Sequence, residues 1–181
     1  MDFKEKQIND QLEVLDNLTV ELLRLVNQFV KEVVPVQYVN WDSLQWSTTG
    51  PHGLFEEFKR AGAWGDSITS RMLDFEQEKN AIACAFNNLK AQVDESVEKT
   101  LKANGKQWIM SGYAYQERNA FARIEVGEIV STVAITARRL EDISGMLGIL
   151  KAKAAQLTAF KSDARVASAL MSFGNQLGEL K

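Results

Sequence analysis

The stretch that decides the fold is "ITSRMLDFEQEKNAIACAFNNLKAQV", residues 68–93. Ile68, Met72, Phe75, Lys79, Ile82, Phe86, Leu89 and Val93 recur in it at steps of four and three, and Lys79 is the one polar member. Those steps return a side chain to the same side of a helix and to no consistent side of a strand. Sustained over this length they form a heptad seam, a line of side chains that is buried against other helices. Asp66 or Ser67 is placed to cap the start, and Asn104 and Gly105 in "KANGK" to stop the end, so the spacing predicts a helix over 67–104.

Downstream the same alternation runs through Ala122, Val126, Ile129, Val133, Thr136, Leu140, Ile143, Leu147, Leu150, Ala154 and Leu157, five heptads in all. It predicts a helix over 116–161 in which Gly127, Gly145 and Gly148 mark close helix approach or a bend. Beyond it, Ser162 or Asp163 caps a short terminal helix with Val166, Leu170 and Phe173 on its face and Gly174 as its stop. Upstream, Leu15, Leu18, Leu22, Leu25 and Phe29 place a helix over 3–34, ended by Pro35. Residues 35–66 carry turn signals ("TTGPHG", "RAGAWGD") and three tryptophans, Trp41, Trp46 and Trp64, which read as a connector containing a short helix, "GLFEEFKRAG", whose aromatics form either a small core folded against the helices or a partner-binding patch.

The fold class expected is therefore all-α: a long antiparallel helical hairpin of coiled-coil type, 67–104 against 116–161, with an additional N-terminal helix and a Trp-rich connector. Residues 1–66 and 67–181 form its two parts. Two extended seams expose more apolar surface than one partner helix covers, which predicts a homo-oligomer.

With 45% hydrophobic and 25% charged residues in 181, the chain has the composition of an ordinary globular protein. No run approaches the ~18 apolar residues of a membrane span, and "MDFKEKQIND" is too polar for a secretory signal, so the expectation is a cytoplasmic protein with no membrane partner. Cys84 and His52 are the only residues of their kinds. A disulfide within the chain and a Cys/His zinc site are thereby excluded. Cys84, in "AIACAFNNL", reads as a core residue, and His52, in "GPHG", as a loop residue. There is no phosphate-binding glycine loop and no nucleophile or metal motif. Glu56/Glu57 and Glu76/Glu78 point in different directions from a helix, so neither forms a shared carboxylate site. The expectation is a protein that is not an enzyme, with no catalytic residue, metal or cofactor.

The net charge of −3 is unevenly divided. Residues 1–100 hold 10 Lys/Arg against 17 Asp/Glu, and residues 101–181 hold 11 against 7, so the second half is basic. Between the two long helices lies "GKQWIMSGYAYQERNAFARIEVGE", residues 105–128, where Trp108, Tyr113 and Tyr115 alternate with Lys106, Arg118 and Arg123, and Lys102 precedes them. Ser111 and Gly112 mark a turn, and "QWIMSGYAY" is the one segment with the look of a short hairpin. Aromatic faces that stack bases and cations that neutralise phosphates are what a single-stranded nucleic acid requires. A second basic cluster, Lys151, Lys153, Lys161 and Arg165, lies near the end of the long helix. The alternative is that the aromatics only pack the turn and the cations form an ordinary salt-bridged surface.

The helix order, the "YQERNAFARIEVGE" start of the long helix and the "ARVASALMSFG" tail resemble the phage recombination-mediator family, the UvsY family, over residues 67–175. The resemblance implies an oligomeric protein that binds single-stranded DNA and helps load a RecA-like recombinase onto DNA coated by a single-strand-binding protein. It makes the connector cations and aromatics DNA contacts. Residues 1–66 have no counterpart in the family. The other reading of the chain is a helical assembly or adaptor protein, of virion, scaffold or host-inhibitor type, acting through protein contacts alone.

Overall fold

A computed structural model of the chain describes residues 3–36 and 46–178; of residues 3–5, 46–58 and 164, and of most after Arg165, only the backbone is described. The expectation of an all-α fold holds: the described residues form four helices and no strand. These are α1 (Phe3–Val33), α2 (Trp46–Met110), α3 (Tyr115–Val126) and α4 (Glu128–Gly178). The "QWIMSGYAY" segment is accordingly the end of one helix and the start of another, and its alternating pattern belongs to no hairpin.

The seam read from residues 68–93 is buried as expected. Ile68, Met72, Phe75, Phe86, Leu89 and Val93 are core residues, and Lys79 lies half-buried with its Nζ donating to Ser144 Oγ at 3.3 Å. The same steps continue past both expected helix ends, and this lengthens α2. Upstream they reach buried Gly65 and Ala61, so "RAGAWGD" lies inside the helix and neither Asp66 nor Ser67 caps it. Gly65 is a packing position: a methyl added there would sit 3.5 Å from Leu157 Cβ on α4. The backbone at Pro51 and His52 is helical as well, in place of the expected loop. Downstream the steps reach Val97, Thr100 and Asn104, and the Asn104 amide is engaged by the Glu125 carboxylate at 2.7 Å instead of stopping the helix. Trp64 is 43% exposed; of Trp46 only the backbone is described, and Trp41 lies outside the described residues.

Helix α1 ends as expected, but its seam is shifted. Leu12, Thr19, Leu22, Val26 and Val33 are buried, while Leu18 is half-exposed at 50% and Leu25 only partly covered. Leu15, Leu22 and Phe29 fit both registers, and the choice falls on the one that takes Thr19 in place of Leu18. Thr19 is admitted because its hydroxyl donates to the Leu15 carbonyl at 2.7 Å and so enters the core satisfied.

The expected single helix over 116–161 is two helices. Gly127, at φ +79°, separates α3 from α4 in a backbone region that side-chain-bearing residues rarely adopt. Beyond it the heptad seam is buried through Ile129, Thr136, Ile143, Leu147, Leu150, Ala154 and Leu157, and continues to Phe160. There is no break at Ser162 or Asp163: α4 runs on to Gly178, past Gly174. Gly145 and Gly148 face open space and mark no close approach. Cys84, expected in the core, is exposed, because the seam passes through Ile82 and Phe86 and leaves the position between them on the outer side.

The described residues belong to two compact units, each of which draws on α1, α2 and α4. The first unit comprises Met1–Leu25 and Gln77–Ser144. Its core joins Leu12, Phe86, Leu89, Val93 and Ile129, with Leu15, Val133 and Leu140 packed against them. Here α2 runs antiparallel to the segment after it, Asn104 meeting Glu125 and Lys79 meeting Ser144. Asp16 of α1 accepts hydrogen bonds from the buried Thr136 hydroxyl (2.8 Å) and from the Arg139 guanidinium, which ties α1 to α4 at one register. The second unit comprises Val26–Glu76 and Gly145–Lys181. In it Phe29 and Phe75 meet edge to face at 5.9 Å, and Arg71 lies over the Phe75 ring at 4.8 Å.

Candidate nucleic-acid interface

The expected site is the tip of the first unit, where α2 gives way to α3. Its turn is closed by the backbone itself. Gly112 takes φ +80°, Tyr113 N–H donates to the Trp108 carbonyl at 3.2 Å, and Gly112 N–H donates to the Ile109 carbonyl at 3.0 Å. This is the Schellman arrangement, in which a left-handed glycine lets two otherwise unpaired helix-end carbonyls find donors. Helix α3 starts three residues later. The Glu117 carboxylate accepts the Ala114 N–H at 2.7 Å and places a negative charge in the first turn, where the exposed N–H groups favour it.

The Schellman turn brings Trp108 and Tyr113 onto one side, and both rings pack against Phe121, at 6.0 and 5.0 Å between centroids. Two of the three aromatics expected to stack bases thus pack on Phe121, with Tyr113 still 43% exposed. Tyr115 differs. It is 61% exposed, and the Arg118 guanidinium sits 5.8 Å from its ring centroid. The buried Nε of Arg118 has no hydrogen-bond partner, so the group is positioned by packing.

The other tip cations are exposed to different degrees of pairing. Lys102 reaches Glu98 at 3.1 Å, one turn back on the same helix, and Arg123 lies 4.0 Å from Asp94. Both pairs are solvent-exposed and worth no more than about 1 kcal/mol each. Lys106 is exposed and makes no ion pair with the described residues. Arg123 also lines a groove of about 360 Å³ together with Lys90 and Asp94. Lys90 was not legible as a site residue, since it lies 33 positions before Arg123 in the sequence and only the antiparallel pairing brings them together.

The second basic cluster belongs to the other unit. Lys151 and Arg165 are exposed, Lys153 Nζ donates to the Val36 carbonyl at 3.2 Å, and the Lys161 side chain lies along Gly62 of α2. Lys153 and Lys161 thus serve contacts within the second unit. The sequence reading missed the aliphatic part of the tip: Met110 is 89% exposed, Ile124 73% and Ile109 58%. No group of three or more carboxylate, His or Cys side chains converges as a metal site among the described residues. None of the described helices is long and apolar enough to cross a membrane.

Comparison with protein-family models, characterised proteins and solved structures finds no match for this chain.

Proposed function

We propose that the protein binds single-stranded DNA at the α2–α3 tip as a non-enzymatic helical binding protein. The observation that carries this reading is the exposed Tyr115 ring with the Arg118 guanidinium 5.8 Å from its centroid, on helices that also expose Lys102, Lys106 and Arg123. An open aromatic face beside cations meets the two needs of a flexible strand, base stacking and phosphate neutralisation. Loading a RecA-like recombinase onto strands coated by a single-strand-binding protein, by a homo-oligomer, is the part of the proposal that rests on the family resemblance alone.

The test is fluorescence anisotropy of a labelled oligonucleotide, single-stranded against double-stranded, at several salt concentrations. Binding is expected to be micromolar or tighter, to prefer the single strand, and to fall with salt at a log–log slope of about −3 if the four tip cations each displace counterions. Tyr115→Ala should weaken it about 5- to 150-fold, the range for loss of one stacked base. Absence of binding at low salt would end this reading.

A second reading is favoured by Ile109 and Met110 at the end of α2 and Ile124 on α3, whose exposure suits a protein surface. An assembly or adaptor protein working through them would show no salt-sensitive DNA binding.

A further inference from the structure

A groove of about 360 Å³ lies within the first unit, between α2 and the chain that returns beside it. Its floor is apolar: Val93 is buried, Val130, Val133 and Ala137 of α4 are half-buried, and Ala134 forms an open edge. Its charged groups are Lys90 and Asp94 of α2 and Arg123 of α3. Arg123 lies 4.0 Å from Asp94, whereas Lys90 is exposed and in no ion pair with the described residues.

A ridge of α2 joins this groove to the tip. Lys90, Asp94, Glu98, Lys102 and Lys106 recur at steps of four, the spacing of one side-chain ridge winding slowly around a helix. Both acids on it are occupied, Asp94 by Arg123 and Glu98 by Lys102. The surplus positive charge is therefore carried by Lys90 and Lys106, at the two ends of the ridge and about 24 Å apart at 1.5 Å of rise per residue.

We infer that the groove holds one nucleotide of the bound strand, its phosphate between Lys90 and Arg123 and its unpaired base on the apolar floor. This rests on the reading of the tip as a single-stranded DNA site and deepens it, since the strand then runs from Tyr115 back along α3 to Lys90. The charges suit a phosphate. Lys90 has no ion-pair partner of its own, and a phosphate offers Arg123 the bidentate contact that Asp94, at 4.0 Å, does not supply. The floor suits a base. A simple anion needs no apolar surface beneath it and an apolar ligand needs no cations, whereas a nucleotide uses both. Bases of a duplex are stacked inside and offer no face to such a floor, so the groove also favours the single strand.

The test is anisotropy of a labelled single-stranded oligonucleotide with the full chain, as wild type and with single substitutions at exposed positions that leave the helices intact. With Lys90 added to the four tip cations, the log–log salt slope should be about −3.5. Lys90→Gln should return it to about −3 and weaken binding about fivefold at 0.1 M salt, the share of one phosphate contact. Lys99→Gln makes the same charge change nine residues on, on the opposite side of α2, and should leave the slope unaltered. Asp94→Asn should tighten binding about 1.4- to 5-fold, the range for an exposed ion pair that no longer has to break, and Glu95→Gln should not. Ala134→Leu narrows the groove without altering charge and should weaken binding at least about fivefold with the slope unchanged. Lys90→Gln and Lys99→Gln that match in slope and affinity, or Ala134→Leu that binds as wild type, overturn the inference. If Tyr115→Ala still weakens binding on the same oligonucleotide, the tip reading survives that result. A wild-type chain that binds no strand at low salt overturns both.

Discussion

The buried seam and the tip of the first unit use residues in opposite ways. Along the seam the type of each residue matters less than its position: Thr19 and Thr136 are fully buried, while Leu18, a larger apolar side chain, stands half in water. At the tip, position in the sequence tells little, and each ring's role depends on what a single turn places beside it. Trp108 and Tyr113 pack on Phe121, yet Tyr115, two residues on, lies open beside Arg118. Periodicity is a collective property of many residues and survives individual exceptions. A binding tip is local, and one left-handed glycine decides which of its rings are free.

The largest effect should come from testing the seam register itself. Leu12 is fully buried and Leu18 is not, so Leu12→Ala should cost about 2–5 kcal/mol in chemical denaturation and Leu18→Ala no more than about 0.5 kcal/mol. Equal losses would show that the shifted register is wrong.

The Asp16 junction tests whether polar members of the seam matter as much as apolar ones. Asp16→Ala deprives buried Thr136 of its acceptor and should destabilise by about 1–3 kcal/mol, whereas adding Thr136→Val should recover part of that loss, because no unsatisfied hydroxyl then remains. If the double variant is no more stable than the single one, the hydrogen bond is not what makes Asp16 important.

Two glycines separate backbone geometry from helix propensity. Gly127→Ala forces a side chain into φ +79° and should cost about 1–3 kcal/mol, while Gly145→Ala, in a helix and facing open space, should stabilise by about 0.4–1 kcal/mol. Thermal melts of the two variants that move in the same direction would place the α3–α4 break elsewhere.

The smallest stability effect is expected at the tip, where function should change most. Tyr115→Ala should leave the melting temperature within about 1 °C and still weaken strand binding, because an exposed ring contributes little to folding. Tyr113→Ala should do the reverse, lowering the melting temperature through its lost contact with Phe121 while DNA affinity holds. Affinity lost equally in both would mean that the tip acts as one packed surface, as the protein-contact reading requires.

Much of the fold was legible before any coordinate. The α2 seam and the heptads of α4 were readable because burial repeats every three or four residues along a helix, and the end of α1 because Pro35 cannot extend it. The helix ends between were not. "RAGAWGD" and "KANGK" contain residues that end helices when solvated, but Gly65 meets Leu157 and Asn104 is held by Glu125, partners more than 20 residues away. The site was legible as composition only. That Arg118 sits by the open ring of Tyr115 while Tyr113 packs on Phe121 follows from the turn, and that Cys84 and the amides beside it stay exposed follows from which side of α2 the seam takes.

By itself, then, the sequence determined that the chain is helical, where its long apolar lines run, and that no conventional catalytic motif is present, because each of these depends on residue type and short-range spacing. The tertiary structure alone decided which of two overlapping registers α1 uses, where α2 ends, which rings are left open at the tip and which side of α2 stays exposed. Those outcomes depend on the free energy of contacts between residues far apart in the chain, and a local pattern carries no record of them.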